Sequence, residues 1–238
     1  MKNSKEYAGK IHKLHRELKR KQGKVTKATY EEPVEALVYG IISKTTTQKA
    51  AKAALKRFDD YFIDLNDLRV STVEEIIENL AEEKPQSRII AENLIHFLRY
   101  VFKQYNVVSL KSLQKMGKRP ARSVLERIPQ LSQFAIDYCM LTSLNAHAIP
   151  LTDNMMLYLK DNELVHQDAD QHEIEGFLMK QIAAKDAYEF YALLRKESES
   201  TQKRKKSKSK TTKRRKTKTK RKTKKKKTTK RKRTRKKG

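Results

Sequence analysis

The stretch Leu125-Glu-Arg-Ile-Pro-Gln-Leu-Ser-Gln-Phe-Ala135 stands between two short helical patterns. Apolar residues spaced three or four apart predict one helix over 121–127 and another over about 132–142. Pro129 separates the two patterns. The stretch therefore predicts two consecutive helices that are joined by a short loop.

The rest of the body carries the same helical periodicity. The chain of 238 residues has only 6 Gly and 5 Pro, and no stretch alternates apolar and polar residues as a strand would. Capping boxes at Ser71–Glu74 and Asp170–Glu173 indicate two helix starts. We therefore predict an all-α fold, with further helices over 5–21, 87–105, 110–115 and 185–196 and others that begin near Pro33, Thr47 and Asp153.

Charge is distributed unevenly along the chain. Lys plus Arg number 56 and Asp plus Glu 28, which gives a net charge of +28. Residues 201–238 hold 25 of the basic residues and no acidic one, whereas the segment 31–200 has 21 basic and 26 acidic residues. We predict a basic N-terminal helix over 1–29, a helical domain over 30–197 and a C-terminal tail over 198–238.

The tail has the composition of a disordered polycation. It lacks large apolar residues, so it cannot bury enough surface to offset the entropy of ordering. Such a segment binds DNA or RNA by releasing counterions. It resembles histone H1-like tails, but only in composition. There are two alternatives to nucleic-acid binding: the tail is merely solvated, or it binds an anionic membrane surface. The tail residues predicted to contact nucleic acid are Lys203, Arg204, Lys205, Lys206, Arg214, Arg215 and Lys216.

The composition also bounds what else the chain contains. A single cysteine, Cys139, excludes an internal disulfide and a multi-cysteine metal cluster, and it favours a reducing compartment. The apolar stretches are short and broken by charges, so we expect neither a transmembrane helix nor a secretory signal. We expect no cofactor and no metal, a monomer, and a cytoplasmic or nucleoid location, or a nuclear one in a eukaryote.

The opening stretch resembles the hairpin of the helix-hairpin-helix DNA glycosylases, the endonuclease III family. Downstream, the residues 148–159 resemble the family's catalytic aspartate segment, in which an apolar run leads into Asp153 and a helix. Upstream, the residues 33–43 resemble an early helix that ends in a serine before a DNA-probing loop, and Asp186-Ala-Tyr188 resembles the start of a late helix. The resemblance covers roughly 30–196 and implies a two-lobed helical fold.

Several positions depart from the family pattern. Gln130 and Ser132 replace the two hairpin glycines, which in the family let backbone N–H groups approach a phosphate. Phe134 stands where the family has its Schiff-base lysine, so the usual lyase chemistry is not expected. The four cysteines of the iron–sulfur cluster are absent. The resemblance therefore implies at most a monofunctional glycosylase.

Asp153 has two interpretations at this stage. In the family, this aspartate stabilises the positive charge on the sugar as the base leaves, or activates a water. Aspartate is also a favoured helix cap, so Asp153 could serve only to start its helix. Cys139, Tyr188 and Tyr191 are predicted to be core residues, and His12 and His15 to be exposed or near phosphate rather than metal ligands.

Three functions follow from these patterns. The first is a DNA-binding protein of base excision repair that hydrolyses the N-glycosidic bond of a flipped base, with Asp153 as the catalytic residue. The second is a non-enzymatic nucleoid protein with a degenerate glycosylase fold, and the third is an RNA-associated protein. In the body, Lys44 and Thr45 are predicted to lie in the probing loop, and the predicted phosphate contacts are Lys118, Arg119, Arg122, Gln130, Ser132 and Gln133.

Overall fold

The computed structural model describes residues 4–80 and 85–203, and over these residues it is helical, with no strand. The chain divides into two compact units, of which the first ends at Glu197 and the second begins at Ser198. The prediction of an all-α body is confirmed. The helices are α1 (Ser4–Gln22), α2 (Pro33–Thr45), α3 (Gln48–Tyr61), α4 (Leu65–Val70), α5 (Val73–Leu80), α6 (Pro85–Tyr105), α7 (Lys118–Glu126), α8 (Gln133–Thr142), α9 (Asp153–Asp161), α10 (Gln171–Gln181) and α11 (187–197).

Helices α2 and α8 form the centre of the first unit. Both are buried almost along their whole length, which explains why their sequences are apolar on every side rather than on one stripe. A Cβ added to Gly40 on α2 would stand 2.8 Å from both the Cα and the Cβ atoms of Ala135 on α8. Gly40 therefore allows α2 to approach the helix that follows the hairpin.

The N-terminal helix α1 packs into the same core. Ile11, Leu14 and Leu18 are buried, as the predicted spacing requires. Its basic face forms ion pairs with acidic residues of α11, because Lys19 lies 2.8 Å from Glu189 and Lys21 lies 2.6 Å from Glu197. Part of the positive charge of this helix is therefore neutralised within the first unit.

The helix start at Asp170 follows the predicted capping chemistry, whereas the one near Ser71 is shifted by a residue. Asp170 caps α10 by accepting a hydrogen bond from the Glu173 backbone N–H at 2.8 Å. The other capping box lies one residue later than predicted, because Thr72 and Glu75 exchange the two reciprocal hydrogen bonds. Ser71 instead ends α4, so the pair Ser71–Glu74 is not the box.

The tail falls mostly outside the described part of the chain. Residues 198–203 are helical, and Lys203 is exposed at the end of this segment. The predicted disorder of the tail concerns residues that lie mostly outside the described part of the chain. So do the other tail residues that are predicted to bind nucleic acid: Arg204, Lys205, Lys206, Arg214, Arg215 and Lys216.

Candidate nucleic-acid interface

The loop between α7 and α8 forms the predicted hairpin turn. Gln130 has a φ of 62°, which lies in the left-handed region that glycine adopts at no steric cost. A side chain in this conformation costs about 1–2 kcal/mol relative to a right-handed one. The Gln130 side-chain oxygen lies 3.3 Å from Nδ1 of His96 on α6. The turn therefore keeps the backbone shape of a glycine turn although it carries a larger residue.

Ser132 gives the second helix of the hairpin its cap. Its hydroxyl accepts a hydrogen bond from the Ala135 backbone N–H at 3.3 Å. The first turn of any helix has N–H groups without intrahelical partners, and their partial positive charge attracts anions. Ser132 satisfies one of these groups, so the others remain suited to a phosphate oxygen.

Phe134 lies in the core rather than on the surface of the first turn of α8. It is 1% exposed and packs against Tyr138 and Tyr191, with ring centroids 6.2 and 6.3 Å away. The guanidinium of Arg195 lies 5.3 Å from its ring. The side chain at this position is thus part of an aromatic cluster and offers no amine.

Arg122 and Gln133 are both held by Asp137, a buried residue of α8. Two guanidinium nitrogens of Arg122 donate to Asp137 at 2.7 and 2.5 Å, and the Gln133 amide donates to it at 3.0 Å. Arg122 also pairs with Glu126 at 3.1 Å. Both side chains are predicted phosphate contacts, and in the structure both donate to a carboxylate of α8.

A second buried carboxylate lies near this ion pair. Burial raises the pKa of Asp137, an effect that the nearby Arg122 opposes. Burial and then the negative charge of Asp137 raise the pKa of Glu175 to about 7. The Gln171 amide donates to Glu175 at 2.7 Å. Residues of α7, α8 and α10 therefore meet at a cluster in which Arg122 pairs with Asp137 and its positive charge also acts on Glu175.

Arg195 is a structural residue that sequence analysis did not single out. It is 1% exposed and donates to the backbone oxygens of Ser43 and Thr46 at 2.7 and 3.1 Å. It also donates to the Tyr191 hydroxyl at 2.9 Å. A cation is favourable at these carbonyls, which end α2. The spacing in the sequence could have predicted this burial, because Arg195 lies four residues after Tyr191 and therefore on the same buried face of α11.

The remaining predicted contacts of the body lie on the surface. Lys44 and Thr45 are exposed, but they form the end of α2, so the loop before α3 consists of Thr46 and Thr47 rather than of these two residues. Arg119 is exposed on the first turn of α7. Lys118 is exposed as well, and its ammonium donates to the backbone oxygen of Leu144.

Asp153 is the first residue of α9, and it is exposed. The cap of this helix is Thr152, whose hydroxyl accepts from the Met155 backbone N–H at 3.4 Å. The interpretation of Asp153 as the cap is therefore wrong. A carboxylate in the first turn still interacts favourably with the helix dipole, but the helix does not depend on it for its start.

Other candidate residues prove to be structural. Cys139, Tyr188 and Tyr191 are buried, which confirms that they are core residues. Burial raises the pKa of the Cys139 thiol, so the thiolate is disfavoured. Within residues 4–80 and 85–203, no group of three His, Cys, Asp or Glu side chains could hold a metal ion. No helix in this part of the chain is long and apolar enough to cross a membrane.

Comparisons of sequence give no match, either with models of protein families or with curated proteins. Comparison with solved structures gives many. A trapped complex of endonuclease III with DNA matches with a TM-score of 0.62 at 16% identity, over 79% of this chain and 84% of the other. The 8-oxoguanine glycosylase/lyase of Clostridium acetobutylicum, in complex with DNA, matches with a TM-score of 0.64 at 13% identity, over 84% and 71%.

A third match is the H. pylori 3-methyladenine DNA glycosylase bound to 1,N6-ethenoadenine. Its TM-score is 0.56 at 16% identity, and the match covers 84% of this chain and 98% of the other. Identities this low establish the fold alone. The chain has the fold of the helix-hairpin-helix DNA glycosylases, as the resemblance of the hairpin stretch predicts.

Proposed function

We propose that this protein binds duplex DNA and removes damaged bases by hydrolysing the N-glycosidic bond. The observation that supports this function best is the placement of Asp153. It stands where the family resemblance puts the catalytic aspartate, and its carboxylate is exposed at the start of α9. Thr152 already supplies the cap, so helix stability gains only a dipole interaction from the Asp153 carboxylate.

The chemistry follows from the residues that are present. The target base leaves the stack, because its glycosidic bond cannot be reached inside the duplex. The carboxylate of Asp153 stabilises the positive charge that develops on the sugar, or activates the water that attacks it. Phe134 offers no amine for a Schiff base, so the products are a free base and an intact abasic strand.

The proposed binding surface combines the hairpin with exposed basic and polar residues of the same unit. The first turn of α8 presents backbone N–H groups to a phosphate, and Ser132 and Gln130 form the turn that leads to it. Lys44, Thr45 and Arg119 are exposed and available for further contacts. These contacts position the duplex but carry no sequence information.

The tail supplies most of the charge for binding. Deleting 201–238 removes 25 basic residues and no acidic one. We expect the truncated protein to bind duplex DNA much more weakly at moderate salt, and its affinity to fall less steeply with salt concentration. Fluorescence anisotropy over a series of salt concentrations measures both quantities. Equal affinity and equal salt dependence would contradict this assignment.

A non-catalytic DNA-binding protein is the second candidate, and the hairpin turn favours it. Glycines would let a phosphate come close to the backbone, but Gln130 and Ser132 place side chains at both positions. A protein that has lost catalysis could retain the fold as a reader of duplex shape. In that case the tail would act as the main clamp on DNA.

A lesion screen separates these two functions. Duplexes that each carry one damaged base are incubated with the protein, and the resulting abasic sites are detected by alkaline strand cleavage. We expect wild type to release at least one base, and Asp153→Asn to slow that release on the order of 10²–10³-fold. Asp168→Asn is the matched control, since its side chain is 92% exposed. If wild type releases no base from any duplex in a broad panel, glycosylase activity is contradicted and the non-catalytic function is favoured instead.

A further inference from the structure

A cleft opens in the first unit between α2, α3 and α4. Its volume is about 650 Å³, and residues 107 and 108 close one side. Phe58, Phe62 and Leu68, which are buried, form an apolar floor. The lining also includes the acidic residues Glu35, Asp59 and Asp64 and the apolar residues Ile63 and Val107.

The rim of the cleft presents an isoleucine to solvent in a fixed position. Ile63 is 93% exposed, which is unusual for a large apolar side chain. Its backbone N–H donates to the Asp67 carboxylate at 3.1 Å, while Asp64 caps α4 by accepting from the backbone N–H of residues 66 and 67 at 2.8 Å. Since both sides of this turn are hydrogen-bonded, the exposure of Ile63 belongs to an ordered turn.

Two further apolar side chains extend this surface. Tyr61 is 55% exposed and Val107 is 53% exposed. Tyr61 also stacks edge to face on Phe62, with ring centroids 4.9 Å apart. Exposed apolar groups beside an apolar floor mark an interaction surface more often than single scattered residues do.

The charge around the cleft is negative. Glu35, Asp59 and Asp64 line it, and none of the described residues that line it is basic. Burial, and then the negative charges of Glu32 and Asp59, raise the pKa of Glu35. The positive charge of Lys111 opposes this effect but does not reverse it. A phosphate backbone is repelled by such a surface, so it does not suit nucleic acid.

We propose that this cleft is a docking surface for a basic peptide segment of a partner protein, with an apolar side chain between its lysines or arginines. The apolar side chain would pack on the floor of the cleft beside Ile63. The flanking cations would form ion pairs with Glu35, Asp59 and Asp64. The charge complementarity selects a cationic partner, and the apolar floor selects one with an anchor. The chain's own segment 201–238 has the charge but contains no large apolar residue, so it lacks the anchor.

The test compares two labelled peptides against the full-length protein. One is a lysine-rich peptide with leucine at every third position, and the other carries serine in place of each leucine. We expect fluorescence anisotropy to show the leucine peptide binding about tenfold more tightly than the serine peptide. Ile63→Ser should weaken the leucine peptide by about the same factor, and Asp59→Asn should weaken both peptides.

The matched control is Ile89→Ser, which removes another exposed isoleucine, 55% exposed, on α6. It should bind the leucine peptide as wild type does, and circular dichroism should show that all variants are folded. Equal affinity for the two peptides, or unchanged affinity in Ile63→Ser, would overturn the proposal. Displacement of the leucine peptide by spermine at similar concentrations would also overturn it, because the site would then recognise a small organic cation. Loss of glycosylase activity would not bear on any of these results.

Discussion

The first turns of α8 and α9 have the same local design but differ in the residue that each carries. Each follows a hydroxyl cap, Ser132 in one and Thr152 in the other, and each bears a position that the glycosylase resemblance marks as chemical. At α8 the family's lysine is replaced by Phe134, whereas at α9 the aspartate is present as Asp153.

The difference lies in what the surrounding structure does with each residue. Phe134 is buried in an aromatic cluster beside Arg195, so its environment would not accept an amine without cost. Asp153 is exposed and its helix is capped by its neighbour. Core packing therefore explains the residue at α8, whereas the residue at α9 adds only a dipole interaction to the stability of its helix. The following predictions test this division, in order of their expected effect on the free energy of unfolding.

The largest effect is expected for Phe134→Ala. Truncating a fully buried aromatic residue lowers the free energy of unfolding by about 3–5 kcal/mol, through lost transfer energy and the cavity left behind. Urea denaturation followed by circular dichroism measures this change. An exposed aromatic residue, as in Tyr105→Ala, is the control, and it should change stability by less than about 1 kcal/mol. A loss below that value in Phe134→Ala would mean that Phe134 lines an open pocket instead.

The next effect concerns the ion pair that joins the two hairpin helices. Arg122→Ala leaves Asp137 buried without its cation, and we expect it to lower the free energy of unfolding by about 2 kcal/mol, less than for a fully buried pair because Arg122 is one-third exposed. Arg119→Ala, which removes a nearby exposed cation, should cost less than about 0.5 kcal/mol.

A double variant sharpens the result for this ion pair. Adding Asp137→Asn to Arg122→Ala removes the buried charge that would otherwise lack a partner, so it should recover part of the lost stability. If the double variant is as unstable as the sum of the two single variants, the pair does not hold α7 against α8. Arg122 would then be free to act on phosphate, as the sequence suggested.

These cases show how far the sequence alone leads. The two helices around Pro129 and the fold follow from spacing and from the family resemblance, because both depend on local pattern. The pairing of Arg122 with Asp137 and the burial of Arg195 depend on helix packing, and residue type alone favours exposure for an arginine. The cap at Thr152 was missed because Asp and Thr both cap helices well, so adjacent candidates cannot be ranked from the sequence.

A smaller effect of opposite sign is expected at the turn of the hairpin. Gln130→Gly places the residue with the least steric cost at a φ of 62°, and we expect it to raise the free energy of unfolding by about 1 kcal/mol. The same change at Gln104, in the right-handed conformation of α6, should lower it by about 1 kcal/mol. Thermal melts compare the two variants. Destabilisation by Gln130→Gly would show that the contact with His96 outweighs the backbone strain.

The smallest effect on stability, and the largest on chemistry, is expected for Asp153→Asn. Thr152 supplies the cap, so the variant loses only the interaction of a first-turn charge with the helix dipole, about 0.3–1 kcal/mol. Thr152→Ala, which removes the cap itself, should cost about 1 kcal/mol or more. Thermal melts of the two variants and base release from one lesion duplex measure both properties. If Asp153 stabilises a cationic transition state, Asp153→Asn releases base on the order of 10²–10³-fold more slowly while Thr152→Ala retains activity in proportion to its folded fraction. A loss of stability in Asp153→Asn that exceeds the loss in Thr152→Ala would make Asp153 a structural residue, and the contrast between the two helix starts would disappear.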